Sequence, residues 1–179
     1  MGRPADIVVR PALEGDLERI SVIYAHYVRT DLATFETEAP TVDEMTTRYR
    51  ALVADGFPYL VGEHQGQVLG YAYAGHHRMR VAYRHTVEDS IYLDSSMTGR
   101  GIGRALLDSL IERCAERGFR QMVAVIGDSA NLGSILLHAR CGFSTIGTLP
   151  SVGFKLGRWV DSVLMQRALG AGDTTLPAC

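Results

Sequence analysis

The chain has 179 residues, 46% of them hydrophobic and 21% charged, with 19 glycines and 6 prolines. That length reads as a single domain over residues 1–169 with a short Gly/Thr/Ala-rich tail, 170–179, expected to be flexible, and the composition excludes a collagenous or low-complexity polymer. The formal charge of -2 leaves no global basic field for nonspecific nucleic-acid binding, so any anion site must be local. Cys114, Cys141 and Cys179 form neither a Cys-x-x-Cys pair nor a zinc-finger spacing, which points away from a disulfide framework or structural zinc and towards a reducing cytoplasm. No apolar core of a signal peptide opens the chain and no run approaches the about 18 residues that span a bilayer, so no membrane partner is expected.

In chain order, Ile7 to Arg10 reads as a short apolar strand. Leu17, Ile20, Tyr24, Tyr27 and Val28 follow at three-and-four spacing, the face of a helix capped by Glu14 or Asp16. Thr41 to Glu44 has capping-box form, and Met45, Tyr49, Leu52 and Val53 carry one apolar stripe as far as Asp55-Gly56. Tyr59 to Glu63 and Val68 to Ala74 are strand-like runs around His64-Gln65-Gly66-Gln67, a hairpin turn, so they should pair antiparallel. The basic stretch His76 to His85 is expected as a loop before a strand over Ser90 to Leu93. Gly101 to Arg117 places Ile102, Leu106, Leu107, Leu110, Ile111 and Cys114 on one side of an amphipathic helix stopped by Gly118. Met122 to Ile126 is expected to be a strand buried on both faces, and Ser134 to Arg140 a short helix ended by Cys141-Gly142-Phe143. Ser144 to Leu149 and Val160 to Ala168 should be the last strands, on either side of Gly153 to Trp159.

The junction from Ser90 to Leu93 through Asp94 to Arg104 concentrates the chemistry. Gly99, Gly101 and Gly103 let backbone approach an anion, and the first free N–H groups of the helix point at it. The spacing is neither that of a P-loop nor that of a dinucleotide-binding fingerprint, and a tight strand-to-helix turn is the plain alternative.

Downstream of the buried strand comes Asn131-Leu132-Gly133-Ser134, then His138 and Gly142-Phe143. Here the sequence resembles the GCN5-related N-acetyltransferase superfamily, with its pyrophosphate loop Gln/Arg-x-x-Gly-x-Gly/Ala and its segment Asn-x-x-Ala/Ser-x-x-x-Tyr-x-x-x-Gly-Phe. The resemblance spans nearly the whole chain. It is closer still to the phosphinothricin acetyltransferases, through Arg3 to Ile7, Tyr71 to Gly75, Val123 to Gly127 and Gly153-Phe154-Lys155-x-Gly157-x-Trp159. The chain departs from the superfamily at Thr98, where Gln or Arg is preferred, at Gly99, where a basic residue is common, and at His138, where most members have Tyr but the phosphinothricin group has His.

The resemblance implies an α/β acyl-CoA N-acyltransferase fold: a mixed, twisted sheet of six or seven strands with helices on both faces, splayed to admit acetyl-CoA, with no metal. Ile91, Tyr92, Leu93, Thr98, Gly99, Arg100, Gly101, Ile102, Gly103, Arg104, Asn131 and Ser134 are then the residues expected to hold acetyl-CoA. An α-amine is mostly protonated at neutral pH, so its attack on a thioester needs a base. Glu88 matches the catalytic glutamate of the family, with Asp89 its local competitor; apart from the resemblance, either carboxylate reads as a solvated strand end. His138 is implied as the acid for the leaving thiolate, although a lone His on a short helix is otherwise structural or a cofactor contact. Neither Cys114, on an apolar helix face, nor Cys141, in a turn, has a nucleophile's setting.

The implied acceptor is phosphinothricin, a glutamate analogue whose two acidic groups call for cationic donors. Arg80 and Tyr83 match the subfamily, Phe35, Tyr73, Lys155 and Trp159 are further pocket candidates, and Arg78 and Arg84 read as solvated. Phe35 and Trp159 read equally well as packing residues. Methionine sulfoximine, methionine sulfone or another small amine is the alternative acceptor, and a non-catalytic acyl-CoA-binding sensor is the alternative of another class. Ile146, Leu149, Val163 and Leu164 would suit strands that meet across a two-fold axis, so the resemblance also implies a homodimer.

Overall fold

A computed structural model describes residues 7–177; Cys179 and the resemblance over Arg3 to Asp6 lie outside them. The elements run β1 (Val8–Pro11), α1 (Leu17–Thr30), α2 (Val42–Ala54), β2 (Tyr59–His64), β3 (Gln67–His76), β4 (Thr86–Leu93), α3 (Ile102–Glu116), β5 (Gln121–Gly127), α4 (Leu132–Arg140), β6 (Ser144–Lys155) and β7 (Arg158–Ala168). One seven-stranded sheet results, in the order β1-β2-β3-β4-β5-β7-β6, antiparallel at every pairing except β4 with β5. Two antiparallel strands can be joined by a short turn, whereas the parallel pair needs a crossover, which is α3.

Helices cover both faces, and each face has its own apolar cluster. On one, Leu17, Ile20, Tyr24 and Val28 of α1 and Met45 of α2 pack on Tyr59, Val61 and Tyr71. On the other, Leu106, Leu107, Leu110 and Cys114 of α3 pack on Leu60, Ala72, Val87, Met122 and Ala124. Alternation along β3 sorts its side chains between the two: Tyr71 faces α1 and α2, and Ala72 faces α3.

Local chemistry accounts for most boundaries. Thr41 Oγ1 accepts the Glu44 N–H at 3.2 Å and Glu44 Oε2 accepts the Thr41 N–H at 2.7 Å, the reciprocal box that starts α2. Gln65 and Gly66, at φ 49 and 78, make the two-residue turn between β2 and β3, and Leu156 and Gly157, at φ 49 and 77, make the one between β6 and β7. Both central residues are left-handed, as the turn that matches strand twist requires.

Several expectations change. Neither Glu14 nor Asp16 caps α1 through its side chain; Asp16 instead accepts the Leu13 N–H at 2.8 Å and both terminal nitrogens of Arg10, at 2.7 and 2.9 Å. Strand β4 starts at Thr86, four residues before the expected start, because the two carboxylates that read as a strand end lie on opposite faces of a strand paired on both sides. Strand β5 is not buried on both faces: Val125 is 37% exposed, since β4 has by then left it. Gly153 to Trp159 is no separate loop but the tip of the long β6–β7 hairpin. Beyond β7, Arg120 Nη2 donates to the Thr175 and Leu176 carbonyls at 3.2 and 2.9 Å, which ties 175–176 of the tail to the domain.

Gly127, the last residue of β5, lies against backbone: a Cβ there would fall on the carbonyl oxygen of Leu32. Gly127→Ala is therefore expected to destabilise the fold by about 1–3 kcal/mol, read as a lowered midpoint in denaturant unfolding with unchanged slope.

Candidate active site

The parallel ladder between β4 and β5 runs from Thr86↔Gln121 to Asp89↔Ala124 and stops. From Ser90 onward β4 keeps its pairing with β3, as far as Leu93↔Gly70, while β5 keeps its pairing with β7, as far as Gly127↔Ser162. The two strands part like a fork, and the edge of Ile91 to Leu93 that faces β5 has no strand beside it. A cleft of about 1200 Å³ occupies the fork, walled by β4, Val125 and Ile126 of β5, and α4. Tyr27 of α1 also lines the cleft; its hydroxyl donates to the Leu93 carbonyl at 2.7 Å.

The other end of the cleft opens on the start of α3. Gly101 is the N-cap, at φ 83, and no side chain caps the helix. The first intrahelical N–H to find a carbonyl is that of Ala105, so the N–H groups of Ile102, Gly103 and Arg104 lack helical partners and bear the positive end of a 15-residue helix. Gly99, at φ 74, is the second left-handed residue of this loop; a Cβ on either glycine would meet nothing, so backbone conformation, and not crowding, calls for glycine here. Arg100 and Arg104, both exposed, and Arg140 of α4 add cationic side chains to the lining.

Of the residues expected to hold acetyl-CoA, the fork brings together Ile91, Tyr92, Leu93, Thr98, Gly99, Arg100, Gly101, Gly103, Arg104, Asn131 and Ser134. Ile102 is not among them: its side chain is in the core on the α3 face. Asn131 also caps α4, its Oδ1 accepting the Ser134 N–H at 3.2 Å.

His138 lines the same cleft, yet both ring nitrogens are engaged. Nε2 lies 3.0 Å from Asp89 Oδ2, and Nδ1 lies 2.8 Å from the Ser134 carbonyl and 3.3 Å from its hydroxyl. The pair is sealed, with 3% of the His138 side chain and 1% of the Asp89 side chain exposed. Burial pushes the imidazole down, but the Asp89 hydrogen bond, its charge and the Ser134 carbonyl outweigh it, so His138 is raised above the ordinary histidine value.

Glu88 points the other way, to the face covered by α1 and α2. His77 Nδ1 is 3.4 Å from its Oε2, and the His77 ring stands edge-on to Tyr83 at 5.8 Å. Burial raises the Glu88 carboxyl above its usual range, His77 pulls it back, and the neighbouring Asp89 charge raises it further. Tyr73, stacked on Tyr59 at 4.9 Å, feels the charges of Glu88, Arg48 and Glu36, so these groups form one electrostatic neighbourhood. Arg80 is exposed at the start of the short turn Val81–Tyr83, and the Arg78 guanidinium sits 5.4 Å over the Tyr83 ring.

The remaining pocket candidates are drawn apart. Phe35 packs against Gly153, whose missing Cβ leaves room for the ring. Lys155 is buried, and its Nζ donates to the carbonyls of Thr34 at 2.7 Å and Tyr27 at 3.2 Å. Trp159 is 64% exposed on the hairpin, edge-on to Phe154. Sequence reasoning missed His77 and the joining of Asp89 to His138. The first had a signal in its place in the basic loop, while the second links positions 49 apart and had none.

A sheet forked between parallel strands over a free helix N-terminus is the frame expected of an acyltransferase that takes a nucleotide-bearing thioester. The chain belongs to the GNAT acetyltransferase family: the family model described as "Acetyltransferase (GNAT) domain" matches residues 9–164. It is 54% identical over 169 residues to the phosphinothricin N-acetyltransferase of Alcaligenes faecalis, covering 94% of this chain and 86% of that one. Identity to the L-methionine sulfoximine/L-methionine sulfone acetyltransferase of Salmonella typhimurium is 38%, covering 91% and 95%. A solved phosphinothricin acetyltransferase from Sinorhizobium meliloti, in complex with AcCoA, superposes with a TM-score of 0.93 at 45% identity over 97% of this chain and 94% of that one.

Replacing Lys155 with Met leaves the Thr34 carbonyl without its donor. The expected cost is about 1–3 kcal/mol in unfolding free energy, with hydrogen exchange faster in the 31–36 loop than in α3.

Proposed function

We propose that the chain transfers acetyl from acetyl-CoA to the amine of a small amino-acid-like acceptor, and that the acceptor is phosphinothricin. The fork between β4 and β5 carries the reading, because it opens a backbone edge and a helix N-terminus to one ligand. The donor set fits that ligand: the free N–H groups of α3 and the Gly99–Gly103 loop suit a pyrophosphate, and the apolar walls suit an extended arm. Acetyl-CoA, when bound, supplies the thioester carbonyl that an amine can attack. The substrate choice rests on the relatives named above, with Arg80, Tyr83 and Tyr73 as the groups around the acceptor.

Glu88 is the base in this proposal. It takes the ammonium proton of the acceptor from the face opposite the coenzyme cleft, while backbone N–H of β4 holds the carbonyl oxygen as charge builds on it. The base works only when ionised, so the rate rises as pH climbs through the Glu88 value, which burial places above the usual carboxylate range. His77 lowers that value, so His77→Ala should move the acid limb of kcat/KM to higher pH; a limb that stays put would separate His77 from the base. Glu88→Gln should lose about 10²–10⁴-fold in kcat and keep its affinity for acetyl-CoA, as measured by thiol release and by calorimetry. A non-catalytic sensor would have no turnover to lose.

The assay that decides the acceptor is thiol release from acetyl-CoA against phosphinothricin, methionine sulfoximine, methionine sulfone, glutamate and unrelated amines. Selective turnover of phosphinothricin is expected; preference for the sulfoximine or sulfone would keep the mechanism and replace the substrate. The same reading places the enzyme in the cytoplasm, where it would confer resistance to phosphinothricin.

The β6–β7 hairpin leaves Ile146, Val152, Phe154, Leu156 and Trp159 exposed along the edge of the sheet. A homodimer that covers this strip is part of the proposal. Sedimentation at micromolar concentration should give a dimer that Trp159→Glu dissociates, and a strictly monomeric parent would end that part of the reading.

A further inference from the structure

Asp89 and Glu88 are consecutive, so the strand sends one carboxylate to each face of the sheet. The Asp89 side is closed. Ala74 and Ala124, its partners across β3 and β5, carry no charge, and Phe143 stands edge-on to the His138 ring at 5.0 Å. Cys114 of α3 feels the same carboxylate and stays a neutral thiol, pushed up to about 12 by burial. Asp89 Oδ1 is buried with no hydrogen-bond partner among the described residues, so the carboxylate depends on His138 through Oδ2 alone.

Proton placement follows from the acceptors. The Ser134 carbonyl can only accept, so Nδ1 of His138 carries a proton. Nε2 and Asp89 Oδ2 are 3.0 Å apart, and two lone pairs would repel at that distance, so the contact calls for a second proton between them. The imidazole is 2% exposed, with both nitrogens occupied, and cannot offer either to a ligand without giving up a bond. Ser134 differs: it is half-buried on the first turn of α4, lines the cleft, and holds its hydroxyl 3.3 Å from Nδ1.

We propose that Asp89, His138 and Ser134 form a proton relay that ends on the Ser134 hydroxyl, and that this hydroxyl protonates the leaving thiolate. The inference rests on the acetyl-transfer reading. As the carbon–sulfur bond breaks and its electron pair goes to sulfur, the Ser134 Oγ proton passes to sulfur and the Nδ1 proton of His138 passes to Oγ. Whichever of Nε2 and Oδ2 held the shared proton, it ends on Nε2, leaving a neutral imidazole beside an ionised Asp89. Water restores the lost proton once the thiol has left the open cleft. Ser134 is the catalytic residue of the three, and His138 and Asp89 are positioning residues that keep it charged with a proton.

The test compares the parent with Ser134→Ala and Asp89→Asn, measuring kcat, KM for acetyl-CoA and the pH profile of kcat. Ser134→Ala, at a half-exposed position, is expected to lower kcat on the order of 10²-fold with KM changed by less than about 2-fold. Asp89→Asn removes the anion that favours the imidazolium, so the alkaline limb of kcat should move to lower pH, and the acid limb set by Glu88 should move a little the same way because the Asp89 charge also raises Glu88. An independent readout is the His138 ring titration by NMR without substrate, whose midpoint should fall in Asp89→Asn. A Ser134→Ala enzyme with parental kcat and an unmoved alkaline limb would overturn the relay, as would a change confined to KM. Silence of the parent towards every amine, with acetyl-CoA bound, would instead remove the acetyl-transfer reading and the role of the relay with it.

Discussion

Everything in the site depends on where one parallel ladder ends. Backbone groups in a sheet interior are satisfied by their neighbours, and a strand that loses a neighbour must find water or ligand for that edge. In this protein the loss occurs at the centre of the sheet, after Asp89↔Ala124, rather than at its rim. It can do so because each parting strand keeps another partner, β3 for β4 and β7 for β5. A binding edge is thereby opened with little loss of sheet, and the crossover helix that a parallel pair requires delivers its own N-terminus to the mouth of the opening.

The same strand also separates two kinds of proton chemistry. With side chains alternating across a sheet, Glu88 and Asp89 share a backbone yet occupy different media: one is half-exposed beside His77, the other is sealed against His138. Their neighbours act on them in different ways. Burial raises Glu88 and suits it to accept a proton, whereas the buried Asp89 raises its histidine and suits that to hold one. A sheet one residue thick thus holds the carboxylates of two consecutive residues in different surroundings.

What the sequence made legible was local. The capping box at Thr41, the amphipathic stripe of α3, the glycine-bearing junction before it and the turn at Gln65-Gly66 each depend on residues within a few positions of one another. The cleft lining followed for the same reason, since most of it comes from one strand-loop-helix run and the first turn of α4. What stayed hidden was decided by pairing across the fold. Two adjacent carboxylates look like a strand end until a histidine 49 positions away is seen to meet one of them. Lys155 looks like a pocket cation until its ammonium is seen to hold two backbone carbonyls. The continuous apolar run of β5 looks buried on both faces because sequence does not show that β4 leaves it.

Tyr27 gives the molecule a mechanical link. Its hydroxyl holds the carbonyl of Leu93 on the open edge of the fork, while its own carbonyl is held by Lys155 from the β6–β7 hairpin. One residue of α1 is thus gripped at both ends, by the arm of the sheet that bends away and by the arm that projects outward. A buried ammonium and a phenol thus join the hairpin, by way of α1, to the backbone at the end of the cleft. The mouth of the opening and the root of the hairpin consequently share a single residue of a helix that belongs to neither.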